Sequence, residues 1–177
     1  MHGRTAAQSY SGSSDWQLIG RVADAVQIPV FGSGDCIEPQ QVLNRMQGGR
    51  VSGVLVGRGA LRNPWIFAQA ADLAAGRAPR TISMADRGRF LLDYVDMLLR
   101  ERVDEREGFR HSAPGHTPDR PARGRERWVI NKVRALGSWY TKGFENGSHL
   151  RVAINSAESI EQLRDSIHRF FLVEAAA

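Results

Sequence analysis

The clearest chemical signal in the chain is a pair of glycine-rich segments, each of which follows a short apolar stretch. The first reads Gly32-Ser33-Gly34-Asp35 after residues 28–31, and the second reads Gly57-Arg58-Gly59 after residues 51–56. Glycines at a strand end let the backbone turn sharply and approach a ligand, and the next helix presents unpaired N–H groups there. That chemistry suits a phosphate group, to which Arg58 would add a permanent charge. Simple strand-to-helix turns, with Asp35 as a helix cap, are the alternative, but two turns at consecutive strand ends favour a phosphate site.

The other reactive side chains are isolated in the sequence. His2 is expected at the C-terminal end of a strand, where barrel active sites lie, although a polar loop residue would fit equally well. Cys36 is expected in the first turn of a helix with no histidine close in sequence, so we do not interpret it as a nucleophile. His111 and His116 have no cysteine or acid at ligand spacing, so we predict no metal site.

Positive charge is concentrated in residues 120–151. This segment holds eight of the 24 Lys and Arg residues but two of the 19 acids, whereas the whole chain carries a net charge of +5. Cations neutralise phosphates and aromatic rings stack on unpaired bases, which favours an RNA partner. In the alternative, Trp139, Tyr140 and Phe144 are mostly core residues and the cations lie on a solvated helix face. The candidate RNA-binding residues are Arg125, Arg127, Lys132, Arg134, Lys142 and Arg151.

Length and composition limit the classes of protein to consider. The chain has 177 residues, 42% of them hydrophobic, which is typical of a globular protein. No stretch approaches the roughly 18 apolar residues of a membrane span, and no apolar leader follows Met1. The single cysteine, Cys36, excludes an internal disulfide and fits a reducing compartment. We therefore expect a cytoplasmic protein.

Hydrophobic spacing predicts two kinds of structure along the chain. Through about residue 78, helices alternate with strands, which predicts an α/β fold with parallel pairing, and Asn63 with Pro64 is expected to begin a helix. From residue 79 to residue 177 the pattern is helical, with a loop near residues 108–124. A complete (β/α)8 barrel typically needs about 250 residues. The chain is too short for a whole barrel, and the phosphate site of such barrels is built from the loops after the seventh and eighth strands. The fold class predicted is α/β, the C-terminal part of a TIM barrel (residues 1–78) followed by a small all-α helical bundle (residues 79–177).

The order of these motifs resembles one family. The motifs are His2-Gly-Arg-Thr5, Ser14-Asp-Trp16, Ile28-Pro-Val-Phe-Gly-Ser-Gly-Asp35, Gly53-Val-Leu-Val-Gly-Arg-Gly-Ala60 and Asn63-Pro-Trp-Ile-Phe67. Together they look like the C-terminal part of a tRNA-dihydrouridine synthase. The resemblance implies an FMN-binding barrel followed by a helical tRNA-binding domain, and an oxidoreductase in which NADPH reduces the flavin and the flavin reduces uridine.

The resemblance also implies roles for individual residues. His2 would contact the flavin, and the FMN phosphate would be held by Ser33, Gly34, Asp35, Gly57 and Arg58. Ser33 stands where the family more commonly has asparagine, which puts a side-chain contact there in doubt. The cationic helical segment would bind tRNA and present a flipped-out base.

The resemblance leaves the catalytic residues unassigned. In the family, the catalytic cysteine and a flavin-contacting lysine precede the His-Gly-Arg-Thr motif, and Cys36 has the wrong place in the motif order. We therefore expect a fragment that is inactive alone, with a complementary N-terminal barrel fragment as a partner. The alternatives are a non-catalytic RNA-binding helical module with a vestigial half barrel and a different phosphate-binding barrel enzyme.

Overall fold

A computed structural model describes residues 1–9, 11–48, 50–100 and 123–173 of the chain. The chain divides into two compact units, Met1–Thr81 and Ile82–Ala177. The first unit is α/β with a small parallel sheet and the second is helical in its described part. Within the described ranges, no helix is both long enough and apolar enough to cross a membrane.

The first unit alternates helices with two short strands. Its elements are α1 (Trp16–Ala25), β1 (Phe31–Ser33), α2 (Pro39–Gln47), β2 (Gly53–Leu55), α3 (Arg58–Arg62) and α4 (Ile66–Ala74).

The strands β1 and β2 pair in parallel, with Phe31 opposite Gly53 and Ser33 opposite Leu55. The strand β1 begins later than predicted. Pro29, which has no N–H to donate to a ladder, lies outside it. The first residues extend the same sheet, because His2 forms a parallel bridge with Ser33. The carboxyl ends of the two strands therefore lie at one edge of the sheet, with residues 1–3 alongside β1.

Two predicted helix starts were wrong. The helix α2 begins at Pro39, and Glu38 forms a capping box with Gln41, so Asp35 is not its cap and Cys36 lies before its first turn. Asn63 does not cap α4 but ends α3, because its N–H donates to the Gly59 carbonyl over 2.8 Å. The unpredicted helix α3 displaces the start of α4 to Ile66.

The core of the first unit lies between the sheet and the helices. Cys36, Val42, Ile66 and Ala70 form a buried cluster, against which Trp16, Val54, Val56 and Ala60 pack. Other apolar side chains of the strand region are open to solvent. The exposed fractions are 72% for Ile28, 48% for Phe31 and 55% for Leu55.

The described part of the second unit consists of helices packed around aromatic side chains. Its elements are α5 (Met84–Arg100), α6 (Arg123–Tyr140), α7 (Gly147–Ser156) and α8 (Ile160–His168), which continues as a π-helix (Arg169–Val173). Tyr140 is fully buried, stacks on Phe90 and meets Phe144 and Phe171 edge-on. Tyr140 is therefore a core residue, as expected in the alternative in which the aromatic residues of the cationic segment form core.

A capping box begins α5. The Asp86 N–H donates to Ser83 Oγ over 3.1 Å, and the Ser83 N–H donates to Asp86 Oδ2 over 3.1 Å. Residues 108–122 of the predicted loop lie outside the described residues, with His111 and His116. The last two residues of that loop, Arg123 and Gly124, belong to α6, so the loop prediction was wrong there.

Candidate functional site

The two glycine turns lie side by side and frame one cavity. The cavity has a volume of about 280 Å³, and its lining includes every residue that the sequence assigned to the cofactor: His2, Ser33, Gly34, Asp35, Gly57 and Arg58. Cys36, Ile37 and Leu55 complete the lining. The parallel register explains this proximity, because Ser33 ends β1 directly opposite Leu55, the last residue of β2.

Asp35 is the electrostatic centre of the cavity wall. Its carboxylate pairs with Arg4 through both oxygens, at 2.7 and 2.8 Å, and with Arg58 at 3.4 Å. It also accepts a hydrogen bond of 2.6 Å from the Ser14 N–H. Burial by itself raises the pKa of Asp35, but the hydrogen bonds from Arg4 and Ser14, with the charges of Arg4 and Arg58, hold that pKa below its ordinary value. Asp35 is therefore an anion at neutral pH.

Arg4 was expected beside His2 at the end of a strand, but sequence reasoning assigned it no contact and no role in the site. Its side chain is 5% exposed, and it donates to the carbonyl oxygens of Ser11 and Gly12 and to the Ser14 hydroxyl in addition to its pairing with Asp35. It therefore ties residues 11–14 to the turn after β1. The sequence shows the opposite charges of Arg4 and Asp35. It does not show the register between residues 1–3 and β1, which brings the two side chains together.

His2 is held in a defined orientation at the mouth of the cavity. The backbone N–H of Arg4 donates to His2 Nδ1 over 3.0 Å. Because Nδ1 accepts that bond, the neutral ring carries its proton on Nε2. His2 can therefore donate to a ligand atom in the cavity.

The two turns use glycine for different reasons. Gly34 has φ of +127°, and a Cβ there would lie 2.0 Å from Ser14 Oγ. At Gly57, by contrast, a Cβ would meet nothing within 4 Å, so open space faces the backbone on the cavity side. A phosphate group therefore has room to approach the second turn.

The charge of the cavity suits an anion. Arg58 in the lining and the buried Arg4 behind it both pair with the single carboxylate of Asp35, so this group of three side chains carries a net charge of +1. The residues present thus fit the phosphate end of a flavin nucleotide in both space and sign. No three His, Cys, Asp or Glu side chains in the described ranges are grouped to hold a metal ion.

Cys36 has the character of a core thiol. It is 4% exposed, and its Sγ lies 3.6 Å from the Gly34 carbonyl oxygen. Burial raises the pKa of Cys36, with the charge of Asp35 acting in the same direction and that of Arg45 acting against it. A protonated, buried thiol is a poor nucleophile.

The candidate RNA-binding residues of the second unit occupy two kinds of environment. Arg125 and Lys132 lie over the Trp128 ring at 4.4 and 5.1 Å, and Lys142 lies over the Trp139 ring at 4.9 Å. Arg127 is exposed on the same helix, α6. Three of these four cations, Arg125, Lys132 and Lys142, thus lie over aromatic rings.

Three of the candidates donate hydrogen bonds within the unit, and the first is Arg125, which donates to the Leu98 carbonyl over 2.5 Å. Arg134 donates to the Ala157 carbonyl over 2.8 Å and to the Ile154 carbonyl over 3.5 Å, both at the end of α7. Arg151 donates to the buried hydroxyl of Thr141 over 2.9 Å. The side chains of Arg134 and Arg151 are half-buried, so their guanidinium groups are partly used in hydrogen bonds within the unit.

Parallel strands, with glycine turns at one sheet edge and a cavity between those turns, define an α/β protein with a candidate ligand site at the carboxyl end of its sheet. Sequence comparison then gives the family. A profile described as Dihydrouridine synthase (Dus) matches residues 1–174, and the chain belongs to that family. The resemblance seen in the motifs is confirmed.

Named relatives agree with this assignment. The chain is similar to a probable tRNA-dihydrouridine synthase of Mycobacterium leprae, with 30% identity over 171 residues, 96% of this chain and 39% of the relative. It is also similar to one from Rickettsia bellii, with 27% identity over 172 residues, 97% of this chain and 46% of the relative. A tRNA-dihydrouridine(47) synthase of Coprinopsis cinerea, named as using NAD(P)(+), is 35% identical over 106 residues, 54% of this chain and 15% of the relative. The chain thus spans less than half the length of these relatives.

Proposed function

We propose that this chain provides the FMN-phosphate site and the tRNA-binding unit of a cytoplasmic tRNA-dihydrouridine synthase. The single observation that carries the proposal is the cavity between the turns at Ser33–Asp35 and Gly57–Arg58, in a chain whose family is established. When bound, FMN supplies the chemistry by which electrons from NADPH reduce uridine to dihydrouridine.

The residues of the cavity have separate tasks in this proposal. The turns at Gly34 and Gly57 let the backbone approach the phosphate, and Arg58 balances its charge. His2 donates from Nε2 to the flavin nucleotide, because its Nδ1 is occupied by the Arg4 N–H. Cys36 has no catalytic task, since its thiol is buried.

The second unit is proposed to bind tRNA through Arg125, Arg127, Lys132 and Lys142. The support is the pairing of three of these cations with the Trp128 and Trp139 rings. Such pairs offer phosphate contacts beside aromatic surfaces. Arg125, Arg134 and Arg151 are proposed to contribute less than the exposed Arg127, because their guanidinium groups also donate to the Leu98 carbonyl, the end of α7 and Thr141.

Uridine reduction is proposed to need a complementary N-terminal barrel fragment. The exposed apolar side chains of Phe31 and Leu55 in the strands, and of Ile28 before β1, favour burial against further barrel structure, since soluble proteins seldom leave a group of such side chains uncovered. In this proposal the two-stranded sheet is the C-terminal part of a TIM barrel and the helices of the second unit form a bundle.

The cofactor site is tested by flavin titration of the purified chain. We expect FMN to bind more tightly than riboflavin, which lacks the phosphate, and Arg58→Ala to abolish that preference. Arg62→Ala is the matched control, because Arg62 lies on the same short helix but outside the cavity lining. Equal affinity of the unaltered chain for FMN and riboflavin would contradict the proposed phosphate site.

The cation–aromatic pairs also favour a second candidate, a non-catalytic RNA-binding module. Both candidates predict salt-dependent tRNA binding by the chain. The two candidates differ in flavin chemistry, because only the first predicts that the chain binds FMN. Only the first also predicts that dihydrouridine forms when the chain is mixed with the N-terminal barrel segment of a relative, NADPH and tRNA. Binding of tRNA without either result would favour the module.

A further inference from the structure

Asp35 links two arginines whose surroundings differ. The guanidinium group of Arg4 makes five short contacts, which match its five N–H groups: Ser11 O, Gly12 O, Ser14 Oγ and the two Asp35 oxygens, all between 2.7 and 3.2 Å. With 5% of its side chain exposed, Arg4 has no donor left for a ligand. It is an internal cation that fixes the Asp35 carboxylate in place.

Arg58 has a looser relation to the same carboxylate. Its Nη2 lies 3.4 Å from Asp35 Oδ1, the oxygen that Arg4 also contacts, and 29% of its side chain is exposed. Arg58 lines the cavity, whereas Arg4 does not. A long contact of this kind can direct a guanidinium group and still leave it able to meet an anion.

The backbone at Asp35 indicates that the position of this carboxylate matters. Its φ is +52°, a left-handed conformation that non-glycine residues seldom adopt. The hydrogen bond from the Ser14 N–H and the bidentate pairing with Arg4 hold the residue there. In this conformation Oδ1 of the carboxylate lies 3.4 Å from Arg58 Nη2.

We propose that Asp35 is a positioning residue, which uses Arg4 as a fixed anchor and orients Arg58 toward the phosphate of the bound nucleotide. This inference rests on the proposed FMN site but assigns a task that the site alone does not require. A carboxylate beside a phosphate repels it, so if Asp35 were only a counter-charge for Arg4, its neutralisation would strengthen phosphate binding. A positioning role predicts the opposite sign.

The test is the ratio of FMN affinity to riboflavin affinity, measured by flavin fluorescence titration of the full chain. Asp35→Asn is the informative variant, because asparagine keeps the shape and tolerates the left-handed backbone. We expect the ratio to fall about tenfold, as expected for one lost hydrogen bond to a charged group. A general loss of structure would lower both affinities together and leave the ratio unchanged.

Two further variants complete the test. Asp35→Asn leaves Arg4 buried without its partner, so the double variant Arg4→Gln/Asp35→Asn removes both charges and should show the same fall in the ratio. Asp24→Asn is the matched control, since Asp24 is an exposed carboxylate of the same unit that pairs with Arg50 at 3.2 Å. It should keep the ratio of the unaltered chain.

The outcomes separate this inference from the proposed function. An unaltered chain that prefers FMN, with an unchanged or increased preference in Asp35→Asn, would overturn the positioning role and keep the FMN site. An unaltered chain without any preference would overturn both. Failure of both Asp35 variants to fold, judged by circular dichroism, would make the role of Asp35 purely structural and would also overturn the inference.

Discussion

The indole N–H of Trp16 donates a hydrogen bond of 2.8 Å to the carbonyl oxygen of Gly34. The same ring lies against β1 so closely that a Cβ at Gly32 would come within 2.5 Å of its Cζ3 atom. On its outer side the ring carries the guanidinium group of Arg45, 4.8 Å from the ring centroid. The helix α1 thus fixes the turn that forms one wall of the cavity.

Gly34→Ala should destabilise the first unit strongly. The new Cβ would lie 2.0 Å from Ser14 Oγ, and the residue would have to keep a φ of +127°. Backbone strain and overlap together should lower the free energy of unfolding by about 3 kcal/mol or more. The measurement is urea unfolding of the full chain, followed by tryptophan fluorescence.

Gly12→Ala is the matched control for this substitution. Gly12 also has a positive φ, +64°, but a Cβ there would meet nothing within 4 Å. Its cost should be about 1 kcal/mol, from backbone strain alone. If the two variants were equally stable, the overlap with Ser14 would not be what requires glycine at residue 34.

The sequence could predict the positions of the two turns but not the pairing of Arg4 with Asp35. Glycines after apolar runs report local backbone geometry, which depends on near neighbours. The ion pair joins residues 31 positions apart and depends on the register between residues 1–3 and β1. The alternative in which Asp35 caps a helix fails for the same reason, because the partners of its carboxylate, Arg4 and Ser14, come from distant segments.

Asp86 should contribute an acid-dependent part of the stability of the second unit. Hydrogen bonds from the Ser83 hydroxyl and from Arg89, with a smaller one from the Ser83 N–H, lower the pKa of Asp86 from 3.8 to about 2. A lowered folded pKa gives stability that is fully present above 3.8 and is lost as the pH falls toward about 2. Asp86→Asn should therefore flatten the stability profile in this window.

The measurement is the urea concentration at the midpoint of unfolding, at several pH values from neutrality down to about 2. Asp93→Asn is the charge control, because Asp93 is exposed on the same helix, α5. A profile of Asp86→Asn that parallels that of the unaltered chain would show that the capping box does not determine the acid response.

Arg127 and Arg134 should separate RNA binding from stability. Arg127 is exposed, so Arg127→Gln should weaken tRNA binding and reduce the salt dependence of the binding constant by about one phosphate contact, with unfolding unchanged. Arg134→Gln removes donors from the Ile154 and Ala157 carbonyls. It should lower the free energy of unfolding by about 1–3 kcal/mol.

These two variants are compared in tRNA titrations at several salt concentrations and in urea unfolding. The reverse pattern would be an Arg134→Gln variant that unfolds like the unaltered chain but whose tRNA binding constant depends less on salt. It would mean that the contacts of Arg134 with α7 do not prevent it from binding phosphate. The sequence could not distinguish the two arginines, because both lie in one cationic helix and only tertiary packing assigns Arg134 to the end of α7.

Tyr140→Phe should report on the hydrogen bond that joins α6 to α5. The Tyr140 hydroxyl donates to the Arg87 carbonyl over 3.0 Å, between residues 53 positions apart. Loss of this bond should lower the free energy of unfolding by about 1 kcal/mol at neutral pH, because phenylalanine keeps the ring contacts. Tyr94→Phe, on a half-buried tyrosine that stacks on Phe90, should change it by about 0.5 kcal/mol or less.

The same variant should change the alkaline limb of the stability profile. Burial raises the pKa of Tyr140 above its ordinary value of 10.0, although Arg87 opposes this, so the folded chain keeps a proton that the unfolded chain loses. Stability from this group is therefore present below pH 10.0 and declines as the pH rises further. Tyr140→Phe has no such proton, and its stability should decline less steeply in urea unfolding above that pH. Equal slopes in the two proteins would mean that the buried hydroxyl does not ionise on unfolding.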